Sequence, residues 1–240
     1  MILLGIPLNA AFKSVEPFKV GTFTINDQPT VGLVMPDNKL IIDLARANRA
    51  MELLPQYSSM PMLELIGQYE YGLKYRIYEV VNWLAEKELL GDDRPGFVHP
   101  ADSIGILAPI QYPSKIMNAA VNFYTHACEG CSEEQLAERI QQRKENRGVP
   151  YLFLKPTRGA VIGSGQDIIM PYGSDRIEWE VEMAVVFGRP GKYISASRAY
   201  DHVLGYMAAM DISDRGGRPP GGYATRSDWF VGKGHYTFAP

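Results

Sequence analysis

Glu180 and Glu182 stand two apart in Ile177-Glu-Trp-Glu-Val-Glu-Met-Ala-Val-Val-Phe-Gly188, a run rich in β-branched and aromatic residues and closed by Gly188-Arg189-Pro190. Such a run reads as a strand. Side chains two apart on a strand share a face, with their Cα atoms about 7 Å apart. Two carboxylates held together raise each other's pKa unless a cation lies between them. A divalent ion that prefers hard oxygen ligands meets that need. An isolated Glu-x-Glu more often decorates a solvated sheet face, so the weight rests on its neighbours. Asp211, further along the chain, is a third acid of interest.

His126 and Glu129 form a second pair, three apart in Asn122-Phe-Tyr-Thr-His-Ala-Cys-Glu129. On a helical turn that spacing puts them on one face within contact range. A carboxylate bonded to one imidazole nitrogen fixes the tautomer and makes the other nitrogen a better base, fit to take a proton from water. Judged on spacing alone, a pair that ties down a turn is the more common case. Cys128-Glu-Gly-Cys131 lacks a second cysteine pair, a following His, or a βαβ setting, so it reads as incidental rather than as a redox or zinc motif. Gly163-Ser-Gly165 lacks the third glycine of a dinucleotide loop and reads as a turn. Lys155, Arg215 and Lys233 are unremarkable one by one.

The elements that must position these groups fall into two parts. Residues 1–105 read as a small N-terminal domain. It has short strands from Phe18 to Asp43, a turn at Asn26-Asp-Gln-Pro29, and helices after Asp43, the strongest over about 73–90 with Leu73, Ile77, Val80, Val81 and Leu84 at helical spacing. Residues 106–240 read as a second domain: a strand around Lys115–Val121, then a helix from Ser132, where Ser-Glu-Glu-Gln135 matches a capping box. That helix has few apolar residues and belongs on the surface. Strands follow at Tyr151–Leu154, Ala160–Ile162, Gln166–Met170, across the Glu-x-Glu run and at Val203–Met210. Gly216-Gly-Arg-Pro-Pro-Gly-Gly222 is a flexible loop directly after Asp211.

The 240 residues carry a net charge of −3, with 46% hydrophobic and 21% charged residues, an ordinary globular composition. No basic excess exists to neutralise phosphates, which argues against a nucleic-acid partner. No apolar run reaches the length of a membrane span, and the start lacks a charged n-region and is broken by Pro7. Two cysteines without an export signal point to a reducing cytoplasm.

Six ordered blocks then resemble one family, the fumarylacetoacetate hydrolase (acylpyruvase, or hydratase-decarboxylase) family. Asn122–Glu129 is similar to its Asn-Tyr-x-x-His-x-x-Glu motif, Pro150-Tyr-Leu-Phe-Leu-Lys155 to Pro-x-x-Phe-x-Lys, and Gly163–Pro171 to the Gly-x-Gly…Ile-x-x-Pro segment. Trp179–Gly188 resembles Trp-Glu-x-Glu-Leu-Ala-Val-Val-Ile-Gly, and Gly205–Arg215 resembles Gly-Tyr…Asn-Asp-x-Ser-x-Arg. Trp229–Lys233 through Thr237–Pro240 is similar to the Gly-Lys…Thr-Phe-x-Pro block. The chain departs from the pattern at Met210, where the family has Asn, and at Gly234-His235-Tyr236, where it has Ser-Phe-Asp. The family's Gln after the position of Arg215 has no counterpart nearer than Arg218.

The resemblance implies an α+β, mainly β fold: a mixed β-sandwich roll preceded by a small β-rich domain of SH3-like character. It implies that Glu180, Glu182 and Asp211 bind Mg²⁺ or Mn²⁺, with Ca²⁺ as an alternative. It assigns His126, Glu129, Lys155 and Lys233 to catalysis, and Arg215, Tyr124 and Arg218 to a small anionic keto-acid substrate, with Lys155, Arg215 and Lys233 adding positive charge around the anion. The implied reaction is hydrolytic C–C cleavage of a β-diketo acid, with the polar helix over 132–147 as a lid and a homodimer as the assembly. A metal-dependent 2-keto acid decarboxylase, isomerase or hydratase is the second reading. A non-catalytic binding or assembly protein is the third, opposed by the intact His126–Glu129 pair. Family members continue through strands with a Thr-Gly-Thr-Pro motif, so the chain is expected to be incomplete after Pro240.

Overall fold

Asn26 and Asp27 both adopt positive φ, 51° and 59°. That is the two-residue turn whose twist matches a β-hairpin, and it joins β1 (Lys19–Ile25) to β2 (Gln28–Val34) in antiparallel register from Lys19↔Val34 to Ile25↔Gln28. The structure, a computed structural model, describes residues 18–51, 60–146, 148–216 and 229–240. Arg218 and most of the glycine-proline loop lie outside the described residues, as does the chain start that contains Pro7.

The chain divides into two compact units, residues 1–111 with 185–206, and residues 112–184 with 207–240. In the first, β3 (Leu40–Asp43), β4 (Val98–Pro100) and β5 (Gly105–Ile106) complete a five-stranded sheet in the order β4-β3-β2-β1-β5. Asp43 caps α1 (Leu44–Ala50) by accepting from the Arg46 N–H. α2 (Met62–Gln68) leads into a wide turn at Tyr69–Leu73, where Gly72 at φ 118° breaks the helical path, and then α3 (Lys74–Glu86) begins. Ile77, Val80, Val81 and Leu84 recur at helical spacing on α3 and are fully buried against Leu33, Ile42 and Leu65. This stripe is what anchors the helix to the sheet. No helix among the described residues is long and apolar enough to cross a membrane.

In the second unit β6 (Ile116–Ala119) pairs antiparallel with β7 (Leu152–Lys155), in register Ile116↔Lys155 and Asn118↔Phe153. Alternation along β7 buries Phe153 and Lys155 and exposes Leu152 and Leu154. Ser132 and Gln135 form the expected capping box at the start of α4 (Glu133–Glu145), which buries no residue, as its polar sequence requires. β8 (Ile177–Phe187) and β9 (Val203–Asp214) are long strands paired with each other, with residues 177–184 and 207–214 in this unit and the remainder in the first. Short α5 (Trp229–Lys233) follows.

The strands expected at Ala160–Ile162 and Gln166–Met170 do not form, apart from one bridge at Val161↔Ala239. Their backbone groups are taken instead by the C-terminal segment. Thr237 and Ala239 N–H donate to the carbonyls of Gly159 and Ala160, and Ile169 N–H donates to Thr237 Oγ1. Hydrophobic patterning does not reveal such long-range satisfaction of the backbone.

Candidate metal centre

Period-two alternation on β8 turns Glu178, Glu180 and Glu182 to one side, while Trp179, Val181 and Met183 point to the other and are exposed. β9 brings Asp211 to the same place. One carboxylate oxygen from each of Glu180, Glu182 and Asp211 lies within 4.8 Å of the others, Asp211 being buried and the two glutamates half-buried. The sequence reading of Glu180 and Glu182 as a shared face therefore holds, and the third acid converges with them.

The electrostatics of this cluster are close to balanced by two lysines. Lys155 Nζ lies 2.7 Å from Asp211 Oδ1, and Lys233 Nζ lies 2.5 Å from Asp211 Oδ2 and 3.4 Å from Glu180 Oε1. Burial and the neighbouring charges of Asp211 and Glu180 push the Glu182 carboxyl above its ordinary pKa, the lysines offsetting part of that. Burial pushes Lys155 below the usual lysine range, with Asp211 pulling it back. Asn118 Nδ2 donates to Glu182 Oε2 at 3.2 Å. Glu178 accepts from Arg215 Nε at 3.0 Å, and Arg215 Nη2 comes within 3.6 Å of Glu180 Oε1.

A cavity of about 360 Å³ opens onto these groups, lined within the second unit by His126, Glu180, Glu182, Asp211, Arg215 and Lys233, with an apolar wall that includes Phe153 and Trp229. That volume suits a small molecule. Phe153 and Trp229 stack with centroids 4.5 Å apart, and the indole N–H donates to the Tyr151 hydroxyl. His126 sits on a 3₁₀ turn, Thr125–Cys128, with Nδ1 2.5 Å from Glu129 Oε1, so the expected dyad is formed. Glu129 and Gly130 (φ 79°) complete a tight turn closed by Cys131 N–H to Cys128 C=O, and the two cysteines are joined in a disulfide, a pairing that the expectation of incidental thiols in a reducing cytoplasm did not include.

The cavity thus gathers His126, Lys233 and Arg215 with the three acids. Lys155, expected to place positive charge around a substrate, is 1% exposed and gives N–H groups to the carbonyls of Ile212 (2.8 Å) and Phe238 (2.6 Å). It lies behind Asp211 and not on the cavity wall. Tyr124 is exposed, with the Lys144 ammonium 5.8 Å over its ring. Asn118 and the Phe153–Trp229 stack escaped the sequence reading. Tertiary packing reveals them, since Asn118 and Phe153 face each other across the β6–β7 ladder and α5 brings Trp229 onto the Phe153 ring.

The residues fit a hard divalent cation. Their donors are all carboxylate oxygens, one from each of three side chains and all within 4.8 Å of one another, the hard-ligand set that such an ion takes.

The sequence model described as "Fumarylacetoacetate (FAA) hydrolase C-terminal" matches residues 115–240, more than half of the chain. The chain belongs to the fumarylacetoacetate hydrolase family. Among its relatives is the mitochondrial oxaloacetate tautomerase FAHD2A of Bos taurus, 35% identical over 146 residues, which are 60% of this chain and 40% of that protein. The chain therefore spans less than half the length of this relative. A maleylpyruvate hydrolase from Sphingobium sp. SYK-6, solved with manganese(II) and pyruvate, superposes over 92% of this chain and 64% of its own with a TM-score of 0.58 at 22% identity. A probable 2-hydroxyhepta-2,4-diene-1,7-dioate isomerase from Mycobacterium abscessus gives 0.56 at 25% identity, over 92% and 61%. These likenesses establish the α+β, mainly β fold of the family.

Proposed function

We propose that this chain carries the catalytic site of a metal-dependent hydrolase that cleaves a C–C bond of a β-diketo acid. The observation that carries the reading is the convergence of Glu180, Glu182 and Asp211 within 4.8 Å, on the same cavity as His126, which Glu129 holds at Nδ1. The three carboxylates would hold Mg²⁺ or Mn²⁺, a choice supported by manganese in the maleylpyruvate hydrolase structure. Bound there, the ion would supply Lewis-acid polarisation of a keto oxygen.

The chain's own residues do the rest. Arg215 and Lys233, both on the cavity wall, receive the substrate carboxylate. Glu129 holds His126 at Nδ1, leaving Nε2 to take a proton from water as that water attacks the distal carbonyl; the C–C bond then breaks, its electron pair leaves with the keto-acid fragment, and the proton held by His126 passes to that fragment's carbon. The Phe153–Trp229 wall lowers the local dielectric around the charges. The substrate on this reading is a small anionic keto acid and the assembly a homodimer, which a light-scattering mass of twice the chain would support and a monomer mass would refute.

A second reading, a lyase, isomerase or tautomerase on a 2-keto acid, draws on the 35% identity to oxaloacetate tautomerase. Products separate the two. A panel of 2,4-diketo and 2-keto acids with Mg²⁺, each assayed with and without chelator, should show chelator-sensitive release of two acids from a diketo acid. Isomerisation or CO₂ release alone would transfer the assignment to the second reading, and no turnover of any member would favour a binding role.

A further inference from the structure

We infer that Lys155 is a positioning residue, which fixes Asp211 for the cation and makes no contact with substrate; this rests on the metal reading above. Two backbone carbonyls, Ile212 at 2.8 Å and Phe238 at 2.6 Å, take N–H groups from its ammonium. From that anchorage the charge lies 2.7 Å from Asp211 Oδ1. Ile212 is the residue next to Asp211 on β9, so one ammonium restrains both the ligand side chain and the backbone beside it. Phe238 adds the C-terminal segment, whose ring lies 5.8 Å from the same nitrogen. With 1% of its side chain exposed, Lys155 is out of a substrate's reach. Lys233 shares Asp211 from the other oxygen but lines the cavity, which divides the two lysines by task.

The sign of the effect separates positioning from simple charge. Lys155 is a cation beside a cation site, so its Coulomb effect on a divalent ion is repulsive. If charge were all it contributed, its removal would tighten metal binding. Loss of orientation weakens binding, and outer partners of metal ligands typically account for about 10–100-fold in affinity.

The test is a Mn²⁺ titration of the 240-residue chain, with free Mn²⁺ followed by electron paramagnetic resonance. Wild type is compared with Lys155→Met and Lys155→Arg, and each variant's melting temperature is measured without metal. Both variants should bind Mn²⁺ about 10–100-fold more weakly. Arginine keeps the charge, but its planar fork does not reproduce the compact ammonium that spans both carbonyls. Tighter binding by the Met variant, with wild-type affinity in the Arg variant, would show that charge alone acts and would overturn the inference. So would a lower melting temperature with unchanged Mn²⁺ affinity, the mark of a purely structural lysine. Unchanged affinity with a raised KM for the keto acid would return Lys155 to the substrate. If the Met variant fails to fold, the Arg variant decides alone, and a change below about tenfold overturns the inference. A wild-type chain that binds no Mn²⁺ overturns the metal reading itself, and this inference with it.

Discussion

Replacing Asp211 by Asn removes one negative charge from the buried centre of a cluster of three carboxylates and two lysines, and the structure sets the expected size of the effect. Asp211 is 2% exposed and meets Lys233 at 2.5 Å and Lys155 at 2.7 Å. Its two like-charged neighbours have ligand oxygens within 4.8 Å. At one effective dielectric the two attractions exceed the two repulsions by at most roughly twofold, and the carboxylate is taken as net stabilising where it stands. Breaking a buried ion pair from one side typically costs about 3–5 kcal/mol. Here Lys155 keeps its two carbonyl acceptors, Lys233 keeps Glu180 at 3.4 Å, and the amide oxygen can still accept a bond. The cost therefore falls near the lower end, about 3 kcal/mol. At about 2–4 °C per kcal/mol for a domain of this size, the metal-free melting temperature should fall by about 6–12 °C. Circular dichroism, with tryptophan fluorescence as a second probe, measures it. A variant melting within about 2 °C of wild type would refute the account of this cluster as a coupled ion network.

Three further outcomes follow from other parts of the chain. Glu70 accepts from Arg189 at 2.6 Å and Lys74 at 2.9 Å, and these cations hold its carboxyl below the usual range. A depressed carboxylate contributes stability that is present above its unfolded pKa and lost as pH falls through the folded one. Glu70→Gln should cost about 0.5–1 kcal/mol at neutral pH, with the gap to wild type closing in acid; a pH-independent gap in urea titrations contradicts this. Val121, β-branched and at φ 49° on the cavity wall, holds backbone strain of about 1–3 kcal/mol, so Val121→Gly should raise the thermal midpoint, and a fall would disprove the strain. The Cys128–Cys131 disulfide closes a loop of sequence separation 3, and its reduction should cost at most about 2 kcal/mol by loop entropy. Turnover should stay within about twofold in Cys128→Ser, because Gly130's positive φ and the Cys131 N–H bond to Cys128 C=O hold the same turn. A collapse of activity would make the disulfide functional.

What the sequence made legible was local. Glu180 and Glu182 share a face because strands repeat every two residues, and His126 reaches Glu129 because a helical turn repeats every three or four. The Ser132 cap and the α3 stripe were readable for the same reason. Asp211 could be placed only through resemblance to a family, since no periodicity joins it to β8. The rest depended on distant partners. Lys155 looked like a substrate-facing cation because the carbonyls that take its protons lie 57 and 83 residues away. Residues 160–170 looked like strands because their apolar content says nothing about the C-terminal segment that takes their backbone bonds. Asn118 became visible once β6 paired with β7 and its amide came to 3.2 Å from Glu182.

The account stands on three acids sharing one hard cation, and the most direct measurement is Mn²⁺ binding by wild type and Glu182→Gln, read by electron paramagnetic resonance and by calorimetry. The account predicts a single Mn²⁺ per wild-type chain and at least a tenfold weaker affinity after a substitution that keeps the shape of the side chain but removes its charge, about 1.4 kcal/mol or more. Equal affinity in the two proteins, or no stoichiometric Mn²⁺ in either, would contradict it.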